Sequence, residues 1–358
     1  MKIVFSGNTD FSIFNYRFEL CQKLIELGHE VLIVCPNGEY VSEMVSKGCV
    51  HINVDVNSHG VNFFEDFRLK RRYKKIFKAI KPDFVCGYTI KPNIYGAMAC
   101  RSSNIRFLAN ITGLGRIAQK KGILHFIAIF LYKIAFSKVK RVFCQNESIY
   151  YFFKKHKIAS DRLLTIPGSG VNLSKFNLEE YPNDNVIRFA FVSRIMKEKG
   201  IDEYVLAARI LKKKYQNLEF HVFGKASKEY DWLFKEESII FHGASSDVPS
   251  IMKSIHCLVF PSYYPEGLAN VLLEACATGR PVITTNTPGC KESVLNGFNG
   301  LLINPKDSID LVEKILQFIE LPYAKKREMG LNARKIVEEK FDRNRIINVY
   351  LSEMELLK

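Results

Sequence analysis

Two successive doubly wound α/β halves, facing one another across a cleft, are the architecture this sequence predicts, and three observations predict it. Strand-like and helix-like segments alternate from the first residues, which is the signature of a parallel sheet covered by helices. A polar stretch containing Gly, Asn and Pro, from Gly168 to Asn185, interrupts the alternation, which then begins again. At 358 residues the chain is long enough to bury two cores of ordinary size. The expected domains are 1–170 and 171–358.

The first half opens on the apolar run Lys2 to Phe5, followed by a helix from about Tyr16 to Leu27 that stops at Gly28. Val31 to Val34, Phe84 to Cys86 and Val142 to Cys144 read as further buried strands. The second half restarts with Ile187 to Val192, a helix around Glu203 to Tyr215, then strands at Leu218 to Phe223 and Ile239 to Phe241. A short helix around Val248 to Lys253 precedes the strand Leu258 to Phe260, and beyond Asp307 the chain reads as helical to its end. No internal repeat or low-complexity segment appears.

Charge is unevenly placed. Residues 1–170 hold 26 Lys and Arg against 12 Asp and Glu, whereas residues 171–358 hold 26 against 25. The first half is therefore expected to meet an anionic partner: a membrane surface, a phosphorylated acceptor or nucleic acid. From Phe64 to Ile80 a helical pattern sets Leu69, Tyr73, Ile76, Phe77 and Ile80 apart from Arg71, Arg72, Lys74, Lys75 and Lys78. From Ile123 to Phe136 runs a fourteen-residue apolar segment flanked by Lys120, Lys121, Lys138, Lys140 and Arg141. It falls short of the ~20 residues a spanning helix needs. A buried core helix and an interfacial one both fit, and the basic flanks and aromatic body favour the interfacial reading. The nine cysteines show no Cys-x-x-Cys or Cys/His spacing, and Cys21, Cys35, Cys86, Cys144 and Cys257 lie in apolar runs. Buried reduced thiols are expected, and neither disulfides nor zinc. Met1-Lys2 leads directly into a strand with no secretory signal, so a cytosolic protein is expected.

The chemistry concentrates between Phe260 and Gly289. After the strand, Pro261 and Ser262 close it, Gly267 is expected to open an Ala/Leu-rich helix, and Thr278-Gly279-Arg280-Pro281 stops that helix. The unbonded N–H groups at such a helix start, from Gly267 through Leu268 and Ala269 to Asn270, form a ready site for a diphosphate. Glu266 stands beside that site, and Glu274 follows eight positions on. Each glutamate alone also fits a plainer role, one as a neighbour of the helix start and the other as a solvated helix residue. Between a strand and a helix, Arg194 and Lys199 can converge at the strand's carboxyl edge and neutralise a diphosphate; two solvated surface cations would have the same spacing.

Taken together, Glu266, Gly267, Glu274, the small residues Ala275, Ala277 and Gly279, and the Pro288-Gly289 turn resemble the signature of the retaining nucleotide-sugar glycosyltransferases of family 4, which have the GT-B fold of two Rossmann-like domains. Arg194, Lys199 and Gly200 match that family's Arg-x4-Lys-Gly pattern, and Ser169 to Phe176 resembles its interdomain turn. Val222-Phe223-Gly224 and Phe241-His242-Gly243 look like its donor-domain strand ends, and Gly289 and Glu292 its last donor-domain loop. The resemblance implies Arg194 and Lys199 on the diphosphate, Glu266 toward the sugar and Glu274 toward the ribose. It further implies Gly267 to Asn270, Gly224 and Ser169 on the donor side. In the first half, Ser6 to Asp10 holds a single Gly where many relatives have a glycine-rich loop, and Ile111-Thr112-Gly113 stands where many have a cleft histidine. These segments and Thr89 to Asn93 resemble a bacterial branch that extends polyprenyl-diphosphate-linked oligosaccharides. That likeness makes Asn15, Arg17, Lys91, Asn93 and Thr112 acceptor-side candidates, although Arg17 equally fits an ordinary helix cation.

The function expected is transfer, with retention of configuration, of a hexose or N-acetylhexosamine from a UDP-sugar to a lipid-diphosphate-linked saccharide in surface polysaccharide synthesis. The enzyme is expected to be metal-independent, to need no cofactor beyond its donor substrate, and to sit peripherally on the inner face of the cell membrane. A sugar-nucleotide epimerase or hydrolase on the same fold is the alternative. Nucleic-acid binding has only the basic charge in its favour, without a recognition fold or base-stacking module.

Overall fold

The computed structural model describes residues 1–57, 63–115 and 122–357, and the chain forms two compact units. One comprises Met1–Ser169 and Arg345–Lys358, the other Gly170–Asn344. Lys120 and Lys121, expected as a basic flank, lie outside the described residues.

The first unit holds a seven-stranded sheet: β1 (Lys2–Ser6), β2 (Glu30–Cys35), β3 (Val50–Asn53), β4 (Phe84–Tyr88), β5 (Arg106–Ile111), β6 (Arg141–Cys144) and β7 (Leu163–Thr165). Its spatial order is β3-β2-β1-β4-β5-β6-β7, with every pairing parallel. The chain leaves β1 toward β2 on one side and returns at β4 on the other, so the order reverses between β1 and β4. The first helix, Asp10–Glu26, begins six residues before the expected Tyr16. The reason is Thr9, whose hydroxyl accepts the Ser12 N–H at 3.2 Å, with Asp10 adding an acidic first turn.

One face of this sheet is covered by the helices Phe63–Ile80, Ala97–Arg101, Ile123–Ala135 and Glu147–Lys155. Leu69, Tyr73 and Phe77 are buried there as expected, leaving Arg71, Arg72, Lys74, Lys75 and Lys78 exposed. The Ile123–Ala135 helix divides its apolar surface. Ala128, Ile129, Tyr132 and Ala135 enter the core, while Ile123, Leu124, Phe126 and Phe130 stay more than 60% exposed. The core and interfacial readings thus each describe one side of this helix. Among the described residues no helix is long and apolar enough to cross a membrane.

The other face of the sheet receives the last helix, Arg343–Leu356. Residues 345–358 were expected in the second domain, and the structure corrects this. Ile346, Ile347, Tyr350 and Met354, at helical spacing, join Ile3, Phe5 and Phe143 in one core. The Tyr350 ring lies 4.4 Å from that of Phe143, its hydroxyl accepts the Asn110 amide, and Glu353 pairs with Arg141 at 2.6 Å.

The second unit holds β8 (Ile187–Val192), β9 (Leu218–Phe223), β10 (Ile240–Gly243), β11 (Cys257–Phe260), β12 (Val282–Thr285) and β13 (Gly300–Ile303). The order β10-β9-β8-β11-β12-β13 is again entirely parallel, and it reverses between β8 and β11. Helices Ile201–Lys212, Val248–Ser254, Asn270–Ala277, Ser308–Glu320 and Tyr323–Lys340 cover its faces. All nine cysteines are buried free thiols, as their apolar settings predict.

Arg280 is the least expected core residue. Read from sequence as part of a helix stop, it is fully buried and donates to the carbonyls of Glu179, Glu180, Met252, Lys253 and Gly279 at 2.8–3.4 Å. Burial draws its pKa down to about 10, yet the guanidinium remains the natural group for five converging acceptors.

Candidate active site

In open parallel sheets a ligand finds backbone N–H groups and diverging loops where the strand order reverses, beyond the strands' carboxyl ends. In the second unit that point lies between β8 and β11, and the segments leaving these strands carry Arg194, Lys199, Glu266 and Glu274. Gly200 lets the two segments meet. Its φ is +83°, and a Cβ there would fall 2.3 Å from the Pro261 carbonyl oxygen. The Tyr263 N–H donates to the Glu198 carbonyl at 2.9 Å and ties the loops together.

Lys199 does not project freely into solvent, as two surface cations would. It is buried, its ammonium forms an ion pair with Glu266 Oε1, and it lies 5.2 Å from the Phe260 ring centroid and 5.4 Å from that of Tyr264. Ser262 donates its hydroxyl to the same carboxylate oxygen at 3.3 Å, a contact that its reading as a strand terminator misses. Arg194, by contrast, is exposed and has no hydrogen-bond or ion-pair partner among the described residues. One cation is thus already committed to a carboxylate and the other is open to an incoming anion.

The helix beside them begins later than expected, at Asn270 and not at Gly267. A long-range bond accompanies the delay: the Ala269 N–H donates to the Gly289 carbonyl at 2.8 Å, and Ala269 keeps an extended backbone. Ala269 therefore spends its N–H internally. The helix start moves to Asn270, whose side-chain Oδ1 is enclosed without a hydrogen-bond partner among the described residues. Leu268 and Ala269 are buried, and Gly267 is buried between them and Glu266. Gly224 packs so tightly under the end of β8 that a Cβ would lie 1.7 Å from the Ser193 carbonyl oxygen, and its N–H goes to the Gly243 carbonyl at 2.7 Å. Ser169 is buried at the end of the first unit.

Glu274 lies in the second turn of its helix, its carboxyl pushed up to about 7 by burial and drawn back by Arg343 and Lys175. A carboxyl raised in the folded state costs nothing below its unfolded pKa. Stability is lost as pH rises from the ordinary 4.5 through about 7. Replacing Glu274 by Gln is therefore expected to stabilise the protein by up to about 3 kcal/mol at pH 8 and negligibly at pH 4. Urea melts at both pH values test this, and an equal offset at the two would sink it.

The acceptor-side candidates all follow the carboxyl edge of the first sheet around its own reversal point, after β1, β4 and β5. Most are more enclosed than surface ligand contacts would be. Arg17 is buried, donates to the Tyr16 carbonyl at 2.7 Å and stacks 4.7 Å over Tyr88. Asn93, in a π-helical turn, is buried and donates to the Asn110 carbonyl at 2.8 Å. Lys91 pairs with Asp66 at 2.9 Å, Asn15 donates to the Phe11 carbonyl at 3.2 Å, and Thr112 is partly exposed. Among the described residues no group of His, Cys, Asp and Glu could hold a metal ion.

The fold is that of the GT-B glycosyltransferases, and two family models identify the chain as one of them. The family model "Glycosyl transferases group 1" matches residues 174–336 and "Glycosyl transferase 4-like" matches residues 2–146, and the chain belongs to this family of GT-B enzymes. Among curated proteins it is 26% identical over 378 aligned residues to the N,N'-diacetylbacillosaminyl-diphospho-undecaprenol alpha-1,3-N-acetylgalactosaminyltransferase of Campylobacter jejuni, covering 98% of this chain and 97% of that one. It is 29% identical over 324 residues to the capsular polysaccharide biosynthesis glycosyltransferase CapM of Staphylococcus aureus, covering 82% and 84%. The crystal structure of Anabaena HepE with UDP and glucose shares the fold, with a TM-score of 0.81 at 19% identity over 99% of this chain and 98% of that one.

Proposed function

We propose that the protein transfers a hexose or N-acetylhexosamine from a UDP-sugar to a polyprenyl-diphosphate-linked saccharide, with retention at the anomeric carbon and without a metal. The observation that carries this reading is the pairing of an open cation, Arg194, with a committed one, Lys199, at the reversal point of the second sheet. The donor diphosphate meets Arg194 and the N–H groups at the start of the Asn270–Ala277 helix, and Lys199 turns toward it as Glu266 shifts to the sugar hydroxyls. Glu274 takes the ribose. The acceptor hydroxyl attacks the anomeric carbon on the face from which UDP leaves. The carbon–oxygen bond to the diphosphate breaks, and the departing phosphate oxygen accepts the hydroxyl proton. Fixed positive charge directed at that oxygen lowers the barrier. The names of the Campylobacter and Staphylococcus relatives support a lipid-diphosphate acceptor and a role in surface polysaccharide synthesis.

Incubation with a panel of UDP-sugars and lipid-diphosphate-linked saccharides, with and without chelator, tests the reading. Mass and NMR analysis should find a lengthened acceptor with a retained linkage in both conditions. Free sugar or an epimer formed without acceptor would favour the epimerase or hydrolase alternative. Activity abolished by chelator and restored by Mg²⁺ would refute metal independence.

The acceptor's lipid implies an inner-face membrane docking surface. Its components are the exposed cations of the Phe63–Ile80 helix and the exposed Phe126 and Phe130 of the Ile123–Ala135 helix, which pack on the same face of the first sheet. Neutralising Arg71, Arg72, Lys74 and Lys75 is expected to weaken binding to anionic vesicles, at roughly 1 kcal/mol per cation before screening. Replacing Phe126 and Phe130 with Ser should do the same without unfolding, whereas the buried Ile129 belongs to the core. Co-sedimentation that is unchanged in both variants would remove the membrane assignment.

A further inference from the structure

Glu266 is held on two sides. Lys199 and Ser262 meet its carboxylate, while its backbone is met by the turn that follows β12. In that turn Gly289 has φ of +88°, and a Cβ there would lie 2.5 Å from Glu266 Cβ and 2.8 Å from the Glu266 carbonyl oxygen. The Gly289 carbonyl accepts the Ala269 N–H at 2.8 Å, and the neighbouring helix starts only at Asn270. Gly289 in turn donates its N–H to Glu292 Oε2 at 2.7 Å. A single glycine therefore touches both the backbone of Glu266 and the residue that caps the Asn270–Ala277 helix, and Glu292 accepts its N–H.

We propose that Glu292 is a positioning residue of the donor site, which through Gly289 fixes the backbone of Glu266 and the first turn of the Asn270–Ala277 helix. The inference rests on the donor-site reading above. Glu292 is partly buried, and burial lifts its carboxyl while N–H groups of its own turn, that of Gly289 included, pull it back. The carboxylate is thus spent on this turn. Its removal loosens Gly289 on its N–H side, and small misplacements of groups facing a reacting centre lower rates far more than they lower affinity.

The test uses the full chain and three variants, Glu292→Ala, Glu292→Gln and Gly289→Ala, with Glu266→Gln as the reference. Donor kinetics, UDP affinity by calorimetry and thermal unfolding are measured for each. Glu292→Ala is expected to lower kcat about tenfold or more while donor KM changes by less than about threefold. Glu292→Gln should recover most of the loss, because an amide oxygen accepts the same N–H. Gly289→Ala should reproduce the kcat loss by forcing a methyl group against Glu266. A near-normal kcat in Glu292→Ala, alongside a crippled Glu266→Gln, overturns the proposal and spares the site. Equal losses in the Ala and Gln variants of Glu292, or a loss explained by the unfolded fraction at assay temperature, also overturn it. A fully active Glu266→Gln removes the donor-site reading itself, and the proposal with it.

Discussion

Glu266→Gln is expected to lower turnover about a hundredfold, the loss that follows removal of one charge-stabilising contact from a reacting centre. The fold is not expected to be indifferent to the change, because the Glu266 side chain is only 14% exposed and pairs with buried Lys199. The substitution leaves an ammonium inside the loop with a neutral neighbour, which costs stability as well as rate. A modest fall in melting temperature should therefore accompany the kinetic loss. Arg194→Ala, at an exposed residue without a partner among those described, should lose activity with no such fall. Turnover by Glu266→Gln near that of the parent would remove the residue from the site. Equal thermal shifts in the two variants would instead contradict the pairing.

The largest effect on stability is expected from Arg280→Met. The variant keeps a long side chain but removes donors from the carbonyls of Glu179, Glu180, Met252, Lys253 and Gly279. Stranded buried acceptors and a lost charge-assisted network place the cost at about 3–5 kcal/mol. Denaturant unfolding measures it directly. A loss below about 1 kcal/mol would mean that water replaces the guanidinium without penalty.

Much of the architecture was legible because buried parallel strands read as short apolar runs. β1, β2, β4, β8, β9 and β11 lie within a residue or two of the expected spans. β5 escaped notice because Asn110 breaks its apolar run; that residue is polar for the bonds it makes to Tyr350 and Gln145, one of them 240 positions away. β3 is short and exposes Val50, so it lacks a strand's usual pattern. That Arg194, Lys199, Glu266 and Glu274 lie on the segments leaving β8 and β11 could be read from the order of strands and helices. That Lys199 already holds Glu266, or that Gly289 accepts the Ala269 N–H, could not, because both are contacts between distant loops. Arg280 looked like punctuation for the same reason. Its five acceptors come from three separate segments.

The placement of the last helix bears on how the chain matures. A protein emerges from the ribosome from its first residue onward, and domains usually fold in that order. Here the first unit's core includes Ile346, Ile347, Tyr350 and Met354, which are synthesised only after the whole of Gly170–Asn344. Until they arrive, Phe143 lacks its ring partner and Asn110 lacks the Tyr350 hydroxyl. The unit that begins first is therefore finished last, and its apolar face waits through the translation of about half the chain.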